Sequence, residues 1–344
     1  MNKFKTVYVT GGAGYVGGNL IPKLLKQGYR VKVLDLYTYG EEVFAEIRGN
    51  SNLIEIKGDM CDQDLLRKTL ADCDAVIHLA CISNDPSFEL NPELSKKVNF
   101  DAFEPLVKIS IESGVKRFIY ASTCSVYGVS EADIVTEDHP LLPITDYNKY
   151  KGLCEPVLAK YQSADFTTVT IRPATVCGYS PRQRLDLTVN ILTNHAYNKN
   201  KITVFGGMQQ RPNIHIEDIT DLYCLLLNLP SEQIANKIYN AGYQNKTVME
   251  IAQIVQKVFK EEFPGKPPID IITTPSDDIR SYRISSEKIK KELGFAPSHT
   301  IEDAVRDLIR AFKAGKLENS MDNPIYFNIK TLKALDGAAV EAKS

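Results

Sequence analysis

Nowhere in its 344 residues does the chain carry a CxxC pair, an apolar run long enough to span a bilayer, or a surplus of basic charge. Each absence removes a class of function. Forty-one basic residues face 43 acidic ones, a formal net charge of −2, so nucleic acid is not the expected partner. The opening Met1-Asn2-Lys3-Phe4-Lys5 lacks the apolar core of a secretory signal and runs directly into a strand-like segment. With no spanning segment further on, the chain is expected to be cytoplasmic, with no membrane partner. Seven cysteines stand singly, at 61, 73, 81, 124, 154, 177 and 224. An odd number without paired spacing reads as reduced thiols, not a disulfide frame or a zinc site, and no metal is expected.

What is present is alternation. Thr6–Val9, Val31–Leu36, Leu53–Lys57, Ala75–Leu79, Phe118–Ser122 and Thr168–Arg172 read as strands. Between them, Asn19–Gln27, Asp62–Leu70, a long Pro92–Ser113 and Asp146–Tyr161 read as helices. Continuous apolar strands in βαβ order predict an α/β fold, a doubly wound parallel sheet covered on both faces. After residue 175 the pattern loosens. Tyr179–Arg184 is polar and turn-rich, Leu187–Asn198 and Thr247–Glu261 read as helices, and Lys201–Phe205 as a strand. The expected organisation is a nucleotide-binding Rossmann domain over 1–175, with a returning segment near 211–230. A smaller mixed α/β substrate domain covers 176–210 and 231–330, and 331–344 is an extension or loose tail of small and polar residues.

The segment Thr10-Gly11-Gly12-Ala13-Gly14-Tyr15-Val16-Gly17 links the first strand to the first helix. Gly11 permits a tight turn, Gly14 a close approach to a pyrophosphate, and Gly17 a helix packed near the sheet. The N–H groups around Tyr15 and Val16 then offer a helix N-terminus to the phosphates. Asp35 ends the second strand, where its carboxylate can accept from an adenosine ribose and would repel a 2′-phosphate, so NAD is favoured over NADP. Asp59-Met60 and Leu79-Ala80 follow two further strand ends and extend the expected cofactor wall; His78 reads as a packed strand residue. Tyr147 and Lys151 are four apart, on one helix face. A phenol with a pKa near 10 can become a base if neighbouring positive charge lowers it. Thr123, just past a strand end, is placed to hydrogen-bond the same reacting oxygen.

These residues resemble the extended short-chain dehydrogenase/reductase family, in its group of nucleotide-sugar epimerases and dehydratases. The resemblance runs over residues 6–315 and includes Thr10–Gly17, Ser122–Gly128, Tyr147/Lys151, Arg172-Pro173 and Arg211–Asp218. It implies Thr123, Tyr147 and Lys151 as catalytic hydroxyl, base and lysine, Asn99 near the cofactor, and Arg211 on a substrate diphosphate. It also implies a homodimer paired through the helices around 92–113 and 146–161. Several positions depart from the pattern. Thr175 stands where the family often has asparagine, and Pro275–Asp278 lacks an arginine that Arg280 or Arg283 would have to replace. Arg182 and Arg184 add cations that suit a diphosphate or a base. Dehydratases of the family carry Asp-Glu after the threonine; here Cys124 and Ser125 occupy those places. The expected substrate side is therefore Thr123, Cys124, Ser125, Thr175, Arg182, Arg184, Arg211 and Arg280. The implied reaction is NAD-dependent epimerisation of a nucleotide-diphosphate sugar at C4. A net 4-dehydrogenase or ketoreductase is the alternative, and an NAD-sensing protein without turnover is the alternative of another class.

Overall fold

The computed structural model describes residues 4–130, 132–276 and 281–341, with the side chains of the last helix described as far as Leu335. Strands β1 (Thr6–Thr10), β2 (Arg30–Asp35), β3 (Leu53–Lys57), β4 (Ala75–His78), β5 (Arg117–Ala121) and β6 (Thr167–Pro173) all run parallel. With Lys237–Ala241 beside β6, the sheet order is 3-2-1-4-5-6 and then this seventh strand. The order reverses between β1 and β4, where a doubly wound sheet opens its crevice.

Burial explains why these runs are strands. Every residue of β1 and of β4 is shielded, as a strand covered on both faces requires. On one face lie α1 (Tyr15–Lys26) and the helix Ile216–Asn228, packed through Leu20, Leu24, Ile219 and Tyr223. On the other lie Gln63–Leu70, Phe103–Glu112 and Asp146–Ala159, whose core includes Leu66, Leu106, Phe118 and Leu158. A separate core joins Val189, Val204, Val255 and Val305 from the second half of the chain. Two small sheets accompany it: Thr175–Cys177 with Gln210–His215 and Gln244–Thr247, and Lys201–Phe205 with Asp270–Thr274.

Two expected elements differ. The long helix over Pro92–Ser113 is broken into Pro92–Lys96, a wide turn over Lys97–Asp101, and Phe103–Glu112. Pro105 has no N–H to donate to the preceding turn, and Ala102 N bonds back five residues to Lys97 O at 2.9 Å. Of the expected extension or tail, the described residues as far as Glu341 are helical, in a helix over Asn328–Glu341 whose first residue donates its N–H to Asp186 at 3.1 Å.

One buried ion pair ties the sheet to the helix Asp146–Ala159. Arg172 on β6 forks onto Glu155 at 3.0 and 2.6 Å, with both side chains under 5 % exposed. Glu155 also accepts from Ser122 Oγ at 2.6 Å, and Arg172 donates to Tyr127 OH at 2.7 Å. Replacing Glu155 by alanine strands a buried guanidinium. Denaturant unfolding should show a loss of about 3–5 kcal/mol with an unchanged slope; a loss under ~1 kcal/mol would contradict this account.

Candidate functional site

The carboxyl ends of β1, β2, β4 and β5 open into one cavity of about 980 Å³. Its floor at β1 is the glycine turn. Gly11 has φ +68°, and a Cβ there would meet Ala80 N and Cα at 2.5 Å. At Gly17 an added Cβ would strike Gly12 O at 2.0 Å. Gly14 differs: its nearest protein neighbour is Gly11 O at 3.1 Å, so a Cβ there would stand mainly in cavity space. Gly14 caps α1 without a side-chain hydrogen bond, and no acidic residue lies in that helix's first turn. Gly14, Tyr15, Val16 and Gly17 line the cavity, an open helix N-terminus of the shape and polarity a diphosphate takes.

Asp35 lies on the same wall. Its carboxylate accepts from Ala13 N at 3.0 Å and Tyr37 N at 2.8 Å, yet burial pushes its pKa above the usual carboxylate value. Asp59, Met60, Leu79 and Ala80 also line the space. The cradle at Gly14 and the carboxylate at Asp35 fit a dinucleotide's phosphates and ribose.

Across the crevice, Thr123, Ser125, Tyr147 and Lys151 face the same cavity. Thr145 caps the helix carrying Tyr147 and donates to Asp85 at 2.5 Å. Lys151 donates its ammonium to Ala121 O and stands 4.5 Å over the Tyr120 ring. Ser125 Oγ lies 3.1 Å from Tyr282 OH. Burial raises the Tyr147 pKa well above the ordinary phenol value; the charges of Cys81, Asp85 and Tyr282 add to this and Arg184 opposes it. In the protein alone the lowering by a neighbouring cation, Arg184, is outweighed by burial, and the phenol is held in its acid form. Tyr150, the neighbouring phenol, instead stacks against Phe88 and Phe100.

On the substrate side, Thr175, Arg184 and Arg211 line the cavity. Arg184 forks onto Asp186 at 2.9 and 3.2 Å and reaches Ser83 Oγ at 3.3 Å. Arg182 also lines the space, but among residues of the cofactor wall. Its guanidinium sits 3.8 Å over the Tyr39 ring and feels the charge of Asp35. Burial, with Arg184's like charge next, pulls its pKa down to about 10, and its Nε and Nη1 have no hydrogen-bond partner. Two expected residues do not line the cavity. Asn99 spends its amide on Ile82, donating to the carbonyl at 3.0 Å and accepting from the N–H at 2.8 Å, because the wide turn of its helix aims it at that loop. Cys124 is 1 % exposed and donates to Arg172 O at 2.8 Å; burial raises its thiol pKa well above the free value. Arg280 lies outside the described residues. His78 is packed between Phe103 and Tyr120 and bonded to Thr10 Oγ1 at 2.7 Å.

The cavity also exposes groups the sequence reading passed over: Cys81, Ser83, Asp85, Tyr282 and Asn328. The first three follow Ala80 closely, and strand-end position was signal enough to include them. Asn328 has no local signal, being 245 residues from Ser83, its hydrogen-bond partner. Among the described residues no group of three or more metal-ligating side chains is assembled and no helix is long and apolar enough to cross a membrane. All seven cysteines are free thiols.

The sequence model of the NAD dependent epimerase/dehydratase family matches residues 7–242. A UDP-glucose 4-epimerase of Lactobacillus helveticus is 28% identical over 321 residues, covering 87% of this chain and 94% of its own. A dTDP-glucose 4,6-dehydratase of Streptomyces niveus is 24% identical, covering 89% and 92%. The solved structure of an epimerase from Methanothermobacter thermautotrophicus superposes with a TM-score of 0.80 at 25% identity, covering 90% and 93%.

The glycines separate two outcomes. Gly17→Ala should cost several kcal/mol by pushing α1 off its turn, whereas Gly14→Ala should leave the melting temperature within a few degrees and weaken dinucleotide binding about tenfold or more. Equal melting losses in both would contradict the assignment. His78 adds a pH signature: burial lowers its pKa from 6.5 to about 3. Between those values the unfolded chain takes a proton that the folded chain refuses. Its contribution to stability is complete above pH 6.5 and drains as pH falls toward 3. His78→Gln should flatten the acid limb of a melting-temperature profile; an unchanged limb would exclude His78 as its source.

Proposed function

Since the chain belongs to the NAD dependent epimerase/dehydratase family, we propose that it is a nucleotide-sugar epimerase acting at C4 of the sugar. It is an enzyme of that family, and its cofactor is NAD. The observation that carries the reading is a single cavity shared by the glycine turn with Asp35 and by Thr123 with Tyr147 and Lys151.

Each residue then has a task. Tyr147 takes the proton from the C4 hydroxyl and later returns it to the same oxygen. Thr123 hydrogen-bonds that oxygen through the exchange. Lys151 has three donors, of which Ala121 takes one, leaving others for the nicotinamide ribose. When bound, NAD supplies the acceptor and then the donor of the hydride, and in its oxidised form a positive charge that favours phenolate at Tyr147. Arg211 and Arg184 suit the substrate's diphosphate, with fixed charge and forked donors. The names of the relatives, a UDP-glucose 4-epimerase and a dTDP-glucose 4,6-dehydratase, support a nucleotide-diphosphate sugar as the substrate class.

Dehydration is disfavoured because it needs an acid and a base beside Thr123. Cys124 is buried away from the cavity and Ser125 is engaged with Tyr282. A net 4-dehydrogenase or ketoreductase uses the same residues and remains the second reading. A non-catalytic sensor has no need of the Thr123/Tyr147/Lys151 set. Exposed Ile111 and Leu153, on Phe103–Glu112 and Asp146–Ala159, support pairing of two copies through those helices.

The test is a panel of UDP-, GDP-, CDP- and dTDP-sugars followed by NMR in deuterated water, with absorbance read at the NADH band. Epimerisation at C4 should give the inverted sugar with no deuterium on carbon and no net NADH. Net NADH would favour the second reading, and deuterium at C3 or C5 would sink a simple C4 exchange. Tyr147→Phe should lower turnover by ~10²–10⁴-fold while NAD still binds.

A further inference from the structure

The residues after the helix Ile301–Lys313 come back to the cavity. Ser320 anchors them, exchanging hydrogen bonds with Asn194 at 2.7 and 3.0 Å. The chain then crosses the mouth of the crevice. On the β2 bank, Ile325 packs against Gly40, where an added Cβ would meet its Cδ1 at 3.0 Å. On the β4 bank, the helix starting at Asn328 packs against the short helix Asp85–Phe88. Between the banks lie β1 and the open N-terminus of α1. Phe327, Asn328, Leu332 and Leu335 line the same cavity as Gly14, Asp35 and Tyr147.

Asn328 is the fastening. It is 2 % exposed, although it belongs to a C-terminal segment whose Leu335 is 49 % exposed. Its Oδ1 accepts from Arg182 Nη2 at 2.6 Å, its Nδ2 donates to Ser83 Oγ at 2.8 Å, and its N–H donates to Asp186 at 3.1 Å. Tyr326 O accepts from Leu185 N at 2.8 Å. One residue thus joins the loop after β4, at Ser83, to Arg182 and Asp186 of the 179–186 loop. Beneath it, Arg182 keeps two buried nitrogens, Nε and Nη1, without hydrogen-bond partners, beside Asp35 and the Tyr39 ring. A buried guanidinium with unspent donors is costly, and the group that satisfies it must be an acceptor inside the cavity.

We propose that Phe327–Leu335 is a strap, fastened by Asn328, that closes over bound NAD, and that Arg182 beneath it binds the cofactor's diphosphate. The inference rests on the assignment of NAD to this site. It deepens the reading as an epimerase: an enzyme that gives its hydride back to the same sugar never needs to release its cofactor, whereas one with net redox turnover must open this strap every cycle.

The experiment measures cofactor retention, not activity. The full chain, purified without added nucleotide, is denatured and its NAD content assayed. Release is then timed by loading radiolabelled NAD and chasing with excess unlabelled NAD. Three variants are compared: Asn328→Ala, a chain ending at Tyr326, and Arg182→Gln. We expect near-stoichiometric NAD in the full chain, with release roughly tenfold or more faster in the first two. For Arg182→Gln we expect NAD affinity about tenfold or more weaker, from loss of a charged hydrogen bond. Melting curves identify a truncated chain that fails to fold, in which case Asn328→Ala decides. Tight NAD with unchanged release in Asn328→Ala overturns the strap and leaves the cofactor assignment standing. Unchanged affinity in Arg182→Gln overturns its diphosphate contact. A full chain that binds no NAD at all overturns both the strap and the site on which it rests.

Discussion

The pairing of Arg172 with Glu155 fixes more than a contact between strand and helix. Tyr147, Lys151 and Glu155 are spaced i, i+4 and i+8, so they share one face of Asp146–Ala159. Anchoring Glu155 in a two-bond fork on β6 sets the rotation of that helix about its axis, and with it the direction of the two residues that face the cavity. The same carboxylate holds Ser122, the residue before Thr123. The threonine and the tyrosine are thereby positioned from one buried charge. Such a pair gains little net stability, because both ions lose their hydration. Its value here is geometric: a planar fork accepts one orientation, whereas an apolar contact would tolerate helix rotation.

A second clamp sets the two halves of the chain against each other. Tyr15, in the first turn of α1, donates its hydroxyl to Gly178 O at 2.7 Å and accepts from Asn190 at 3.0 Å. Ser180 Oγ donates back to Tyr15 O at 2.7 Å. The loop over residues 179–186 is thus pinned to the start of the helix whose N-terminus faces the cavity. That is why Arg182, expected against the substrate, stands among cofactor-wall residues, while Arg184 two positions on acts on Tyr147. Tyr15 itself is as much a fastener between halves as a cofactor neighbour.

How far the sequence revealed this depends on the range of the interaction. The glycine turn, Asp35 at its strand end, and Tyr147 with Lys151 are set by local geometry: a turn, a strand terminus, a helical repeat. Such features are legible from spacing, and a doubly wound parallel sheet follows from strands that must be buried on both faces. Asn99 and Cys124 do not line the cavity, because a wide helical turn and a short turn after β5 rotate side chains out of the regular repeat. The helix after Phe327 was invisible because its fastening lies in partners far away in the chain: Ser83, Arg182 and Asp186. The Tyr147 pKa lies high in the protein alone for a related reason. Proximity to cations can be read from sequence, but the cost of burying a phenolate depends on every wall of the pocket.

The proton inventory of the pocket supports the simplest chemistry. Inversion at C4 moves one proton off an oxygen and back, and a single phenol suffices. Eliminating water would require a second acid or base aimed at neighbouring carbons. Three nearby carboxylates are already committed: Asp85 accepts from Thr145, Asp186 is engaged by Arg184 and Asn328, and Glu155 is held by Arg172. Cys124 would have to ionise in a site that raises its pKa well above that of a free thiol. On the proposed reading, Tyr147, held protonated by burial, becomes a base when positive charge arrives beside it. Proton removal is therefore tied to the presence of oxidised cofactor, and a pocket closed by its own C-terminal segment would keep that charge in place through both halves of the exchange.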